Sequence, residues 1–188
     1  MDKSKANNKT NNNVSTHSLV IMSMFAAILC VSAYISIPLP NGTHITALTL
    51  IITIITLTFP ARQSFTIILL WLLLGIAGVP VFVGGVAGLG YITGPYGGYS
   101  IGFLVISALV PMICTNRHSR LYLIVIAILS AISDDLIGTF WIMAVSKISF
   151  KAAFITGFAP FIVLDIAKAV LAAQLVPHLR RIINGLEQ

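Results

Sequence analysis

Two short patterns place ionisable side chains inside otherwise apolar sequence: Asp165 and Lys168 within APFIVLDIAKAVLAA, and Asp134-Asp135 within ISDDLIG. A charged group at bilayer depth costs several kcal/mol unless it pairs or meets water, so each such group marks a candidate site. Asp165 and Lys168 stand at i, i+3, share one helix face and can pair. Two readings stand: an internal salt bridge that fixes helix packing, or a paired acceptor and donor facing a cavity for a small polar solute. Asp134 and Asp135 are adjacent, so on a helix they point about 100° apart and do not both face one site. Two catalytic aspartates of an intramembrane protease come from separate helices. The pair is read instead as one acid lining a wet cavity and one capping a local irregularity.

The other reactive types form no constellation. His17, His44, His118 and His178 fall at loops or helix ends, too scattered for a metal. Cys30 and Cys114 lie far apart in apolar sequence, which argues against a disulfide framework or zinc. No serine or cysteine sits in an activating setting, so no catalytic residue, metal or cofactor is expected.

The elements that must position the acids and the lysine are membrane helices. Of 188 residues, 57% are apolar and only 9% charged, with a mean hydropathy of +1.00. Soluble domains carry about a quarter charged residues. The net charge of +6 is dispersed, without the basic runs and aromatics of a nucleic-acid surface. Six segments approach the roughly twenty apolar residues of a span, over Leu19–Ile37, Ile45–Phe59, Phe65–Val83, Tyr99–Cys114, Leu121–Val145 and Ala152–Val176. Residues 1–17 read as a disordered cytoplasmic leader, 18–178 as the membrane domain and 179–188 as a cytoplasmic tail. Eight loop or terminal Lys/Arg fall on one side (Lys3, Lys5, Lys9, Arg62, Arg117, Arg120, Arg180, Arg181) and two on the other (Lys147, Lys151). That bias predicts both termini inside. Counted from Ala152, Asp165 would lie about 20 Å along its helix. Pro160 favours a first turn, and a helix beginning near it puts the pair one to two turns below the outer surface.

Between the third and fourth segments, Gly84 to Tyr99 reads GGVAGLGYITGPYGGY and holds seven of the fourteen glycines. It lacks GxxxxGK[ST] and opens no βαβ unit, so it binds no nucleotide by either motif. Pro95 and Gly97-Gly98 break and turn the chain, while Gly98 and Gly102 permit close helix contact. Flanked by Phe82, Tyr91, Tyr96 and Tyr99, the stretch suits a lid or wall against a small ligand.

GVPVFVGGVAGLGYITGPYGGYSIGF (78–103) resembles the hallmark loop of the BioY family. APFIVLDIAKAVLAA is similar to that family's Pro-Phe followed by Asp-x-x-Lys, and GTFW at 138–141 to a further signature. The order and spacing match over roughly residues 18–178. The resemblance implies an all-α, six-helix S component of an energy-coupling factor vitamin transporter in a bacterial inner membrane, specific for biotin. Its energy would come from separate partners, a transmembrane coupling protein and two cytoplasmic ATPases. Asp165 and Lys168 would bond biotin's polar head and the Gly84-Gly85 loop would close over it, with Phe82, Val86, Gly88, Tyr96 and Trp141 as further candidate contacts. Departures from the family pattern fall at Ala47, Val86, Ala87, Tyr96 and Asp134-Asp135, and together remove some polar contacts. In this class a face of small residues on the first helix docks on the coupling protein, which Ser23, Ala26, Ala27 and Cys30 could supply; packing within the chain explains the same spacing. The alternatives are an S component for another vitamin, or an intramembrane enzyme using Asp134 or Asp135.

Overall fold

The computed structural model describes residues 16–38, 44–114 and 119–186. Residues 1–15 of the expected 1–17 leader, the loop around Pro40, residues 115–118 and residues 187–188 of the expected tail lie outside the described residues, while Thr16 and His17 open the first helix. Helix α1 spans Thr16–Ser32; a two-stranded antiparallel hairpin follows, β1 Ser36–Pro38 pairing with β2 His44–Thr46. Then come α2 Leu48–Thr58, α3 Ala61–Ile76, a 3-10 turn at Val83–Gly85, the short α4 Leu89–Thr93 and α5 Gly97–Cys114. The chain ends with α6 Arg120–Ser146, α7 Phe150–Ala153, a π turn at Phe154–Phe158 and α8 Ile162–Leu186.

Among the described residues three helices, α5, α6 and α8, are long and apolar enough to cross a membrane, while α1, α2 and α3 are shorter apolar helices. Large apolar side chains such as Leu109, Met112, Leu121, Leu129 and Val163 point outward, a surface suited to lipid rather than water. The chain is a multi-pass membrane protein. The shorter helices correct the expected segments. Apolar sequence after Ser32 turns into strand β1 rather than continuing α1, and Ile45, expected to open the second helix, lies in β2. The third expected segment ends early because Gly78 takes a positive φ of 102°, a left-handed stop that closes α3 by a bond from Val79 N to Leu74 O at 3.0 Å.

Helix α2, LTLIITIITLT, is rich in β-branched residues that are poor helix formers in water. It is helical here because backbone groups away from water must be satisfied within the segment. Ile52, Thr53, Ile54, Ile55, Thr56 and Leu57 are all buried, so the helix is enclosed on every side. Its eleven residues span about 16 Å. It packs against α5, α6 and α8. The Arg180 guanidinium of α8 donates to the Leu57 carbonyl near its C-terminal end.

Close contact between α5 and α6 depends on missing side chains. A Cβ on Gly98 would fall on the Trp141 side chain, and one on Gly102 on the Asp134 carboxylate, the tight packing expected of this spacing. We expect Gly98→Val to lower thermal stability by more than about 3 kcal/mol, at or beyond the upper end of ordinary overpacking, because Trp141 is itself tied down. Unfolding in detergent checks this; a variant as stable as the parent would mean that α5 can move away freely.

Candidate functional site

The short elements gather polar groups at one place. Helix α8 begins at Ile162 after a turn at Pro160, so Asp165 lies in its first turn, where the helix dipole favours a carboxylate. The expected break near Pro160 is therefore present, with a π turn before it, an irregularity often found beside functional sites. Thr49, in the first turn of α2, faces it. Lys168 Nζ donates to Asp165 Oδ1 at 2.7 Å and to Thr49 Oγ1 at 3.0 Å; Thr49 Oγ1 donates to the same Asp165 oxygen at 2.9 Å. These three bonds close a triangle. They leave Asp165 Oδ2 and one ammonium N–H outside it.

The triangle borders a cavity of about 260 Å³. Asp135 of α6 also reaches this cavity, and its remaining wall is largely apolar and aromatic, with Tyr91, Tyr99, Phe103 and Phe161. The Tyr99 hydroxyl is held by donating to the Gly157 carbonyl at 2.5 Å, and its ring meets Phe161 edge-on at 5.9 Å. Such a site, mostly apolar with a few fixed polar groups, suits a small organic solute with one polar end.

Of the residues expected from sequence, Asp165, Lys168, Val86 and Tyr96 line the cavity. Phe82, Trp141, Gly84, Gly85 and Gly88 stand behind its wall. Phe82 is fully buried, stacked on Tyr91 at 4.6 Å and edge-on to Trp71 at 5.3 Å. Trp141 Nε1 donates to the Gly94 carbonyl at 2.9 Å, anchoring the glycine-rich loop to α6. Gly84 and Gly85, at φ 73° and 76°, form a tight reversal closed by Phe82 N to Val86 O at 3.0 Å, a conformation that suits glycine. Gly88 N donates to Gly75 O at 2.7 Å. These residues shape and hold the loop rather than face the cavity.

Of the two helix-6 acids, Asp135 lines the cavity, as one of the pair was expected to, and Asp134 departs from expectation. Both are buried, Asp134 at 3% and Asp135 at 2% exposure. Helix α6 runs unbroken past them, so Asp134 has no irregularity to cap. It wedges against Gly102, and both acids border a second, smaller chamber. On α1, Ser23 and Ala27 are exposed, Cys30 is half-buried and Ala26 packs inward. Ala26 therefore belongs to the core, not to an outer face.

Sequence reasoning missed Thr49, Thr46 and His44, which also line the cavity. His44 is brought there by pairing with Pro38 in the hairpin, its ring 3.4 Å from where a Gly84 side chain would start. The one available signal for Thr49 was its place in the first turn of α2, ahead of the other threonines of that apolar helix.

The BioY family model matches residues 5–185. The chain belongs to the BioY family. It is 32% identical over 160 residues to "Biotin transporter BioY2" of Lactococcus lactis subsp. cremoris, covering 85% of this chain and 87% of that protein. It is equally identical over 160 residues to "Probable biotin transporter BioY" of Pyrococcus horikoshii, covering 85% and 94%. The crystal structure of the S-component for biotin from an ECF-type ABC transporter superposes with a TM-score of 0.80 at 24% identity, over 87% of this chain and 90% of that one. At that identity the match speaks for the fold, and the fold is the one built above.

Proposed function

We propose that this BioY-family chain is the biotin-binding S component of an energy-coupling factor transporter in a bacterial plasma membrane. It takes up biotin from the outer side and releases it inward, in complex with a transmembrane coupling protein and two cytoplasmic ATPases. The observation that carries the reading is the Thr49–Asp165–Lys168 triangle beside a cavity walled by aromatic side chains. Biotin's cyclic urea has two N–H donors and one carbonyl acceptor. Asp165 takes N–H, the spare Lys168 proton serves the carbonyl, and both bonds are charge-assisted. The fused rings and valeryl chain suit Phe103, Phe161 and the tyrosines.

The same reading includes six membrane-crossing segments within residues 18–178, both termini cytoplasmic, and the glycine-rich loop outside. The eight-against-two distribution of Lys and Arg supports that orientation. The exposed Ser23 and Ala27 of α1 are the docking face offered to the coupling protein, since small residues let two helices approach closely. The protein binds and moves its ligand without chemical turnover.

Isothermal titration of the purified protein in detergent with biotin is the direct test, and saturable binding is the expected result. Thr49→Val should bind roughly fivefold to tenfold more weakly, since one net hydrogen bond is worth about 1 kcal/mol and Asp165 and Lys168 each lose a partner. A folded parent protein that leaves biotin unbound would mean another solute. Unchanged affinity in Thr49→Val would remove that hydroxyl from the site.

A further inference from the structure

Strand β2 carries a polar feature that the Thr49–Asp165–Lys168 triangle does not use. Alternate residues of a strand point to one face, and His44 and Thr46 both line the main cavity. The hairpin fixes that face, because His44 pairs with Pro38 and Thr46 with Ser36. Two residues after Thr46 the chain enters α2 and presents Thr49 to the same cavity. His44, Thr46 and Thr49 therefore form a polar stripe along one wall. At strand and helix rises, the backbone from His44 to Thr49 covers roughly 10 Å, so the imidazole meets a different part of a bound solute than the triangle does.

His44 Nδ1 is buried without a hydrogen-bond partner, a cost that a bound group removes. The ring rests with Cε1 3.4 Å from the point where a Gly84 side chain would begin, and with both nitrogens at 3.9 Å from it. That contact needs only a flat ring, and phenylalanine would serve it as well. The imidazole adds an N–H that packing does not require. Among the described residues lining the cavity Lys168 is the one ammonium, and it is bonded to Asp165 and Thr49. The carboxylates of that lining are Asp135 and Asp165, and among the described residues the ion pair is Asp165 with Lys168, so His44 is paired with neither acid. It is a donor without an acid of its own, with the apolar Val83 and Val86 in the same lining. An anionic oxygen gains most from such a donor, because charge-assisted hydrogen bonds are the strong ones.

We propose that His44 is a specificity residue of this site: its Nδ1–H, with the Thr46 hydroxyl on the same strand face, receives a carboxylate of the solute. The cavity then selects a monocarboxylic acid whose polar head lies at the triangle and whose acid group lies at the hairpin. For biotin that group is the carboxylate of the valeryl chain, an assignment that rests on the biotin reading above. The preference for a carboxylate at His44 does not.

The test uses the full-length protein in detergent, titrated with biotin and with biotin methyl ester, which keeps the rings and chain but loses the charge. The parent should bind the acid roughly tenfold or more tightly than the ester, the worth of a hydrogen bond to a charged group. His44→Phe keeps a flat ring against Gly84 and should bind acid and ester alike, at about the affinity of the parent for the ester. His44→Asn places an amide N–H near the position of Nδ1 and should keep part of the preference, which a purely structural role would not predict. A second readout needs no biotin: pentanoate, but not pentanamide, should shift the imidazole resonances of His44, identified by their absence from the spectrum of His44→Phe or His44→Asn. Equal binding of acid and ester by the parent, or a preference that survives in His44→Phe, would overturn the carboxylate role and leave the biotin reading standing. A shift with pentanoate in a protein that binds neither biotin nor its ester would uphold the role of His44 and sink the biotin reading. Neither binding nor shift would sink both.

Discussion

Asp165→Asn should fold like the parent and bind biotin roughly tenfold to a hundredfold more weakly. Asparagine has nearly the same volume, and its amide oxygen can still accept from Thr49 and Lys168, the two donors that hold Asp165 Oδ1 at 2.9 and 2.7 Å. What changes is the second oxygen. In the acid it is a further acceptor for a ligand N–H; in the amide it becomes an NH₂ group, which sets donor against donor. A hydrogen bond to a charged group is worth about 1.5–3 kcal/mol, which is the origin of the expected range. Titration calorimetry beside a thermal unfolding curve separates lost binding from lost structure. An unchanged Kd in the variant would place the urea elsewhere in the cavity.

The groups that carry this prediction were legible because they are expensive. Asp165 and Lys168 stand out in apolar sequence at a spacing that permits pairing, and Pro160 pointed to the helix start that brings them close to one end of α8. The glycine-rich stretch was legible as irregular backbone for the same kind of reason: Gly84, Gly85 and Gly88 adopt positive φ. Which side of the wall they stand on was not legible. Phe82 and Trp141 have the types expected of a ligand cage, yet burial of Phe82 against Trp71 and the bond from Trp141 to Gly94 assign them to the frame.

Thr49 and His44 were hidden for a different reason. A threonine near the start of a helix is ordinary in sequence, and it becomes a site residue only because α2 is packed against α8. The position of His44 depends on a hairpin of two three-residue strands, too short to leave an alternation that could be read. Hydropathy alone also carried the first segment too far, since Ala33 to Ile37 is apolar but passes through a turn into strand β1. Asp134 and Asp135 were expected not to share one site, yet both border the smaller chamber, because neighbours on a helix can flank one space between packed helices.

Lys168→Met is the sharper experiment, because it decides between the two roles open to the ion pair. Among the described residues lining the cavity, Lys168 is the one cation, beside Asp135 and Asp165, with its side chain 19% exposed against 7% for Asp165. Removing one partner of such a pair leaves a buried carboxylate uncompensated, at a cost of about 3–5 kcal/mol. For a chain of this size, even the lower figure lowers the unfolding temperature by about 6–12 °C. The single variant should also lose measurable biotin binding, since its urea carbonyl loses the ammonium. The double variant Asp165→Asn/Lys168→Met replaces both charges by neutral groups of similar size, and a neutral replacement of a buried pair is often close to neutral in stability. It should therefore recover most of the lost stability and none of the binding. Recovery of both would make the pair a packing device with the ligand held by other groups; recovery of neither would mean that the remaining acids, Asp134 and Asp135, need the lysine as much as Asp165 does. Only stability without binding fits a pair kept charged for its ligand.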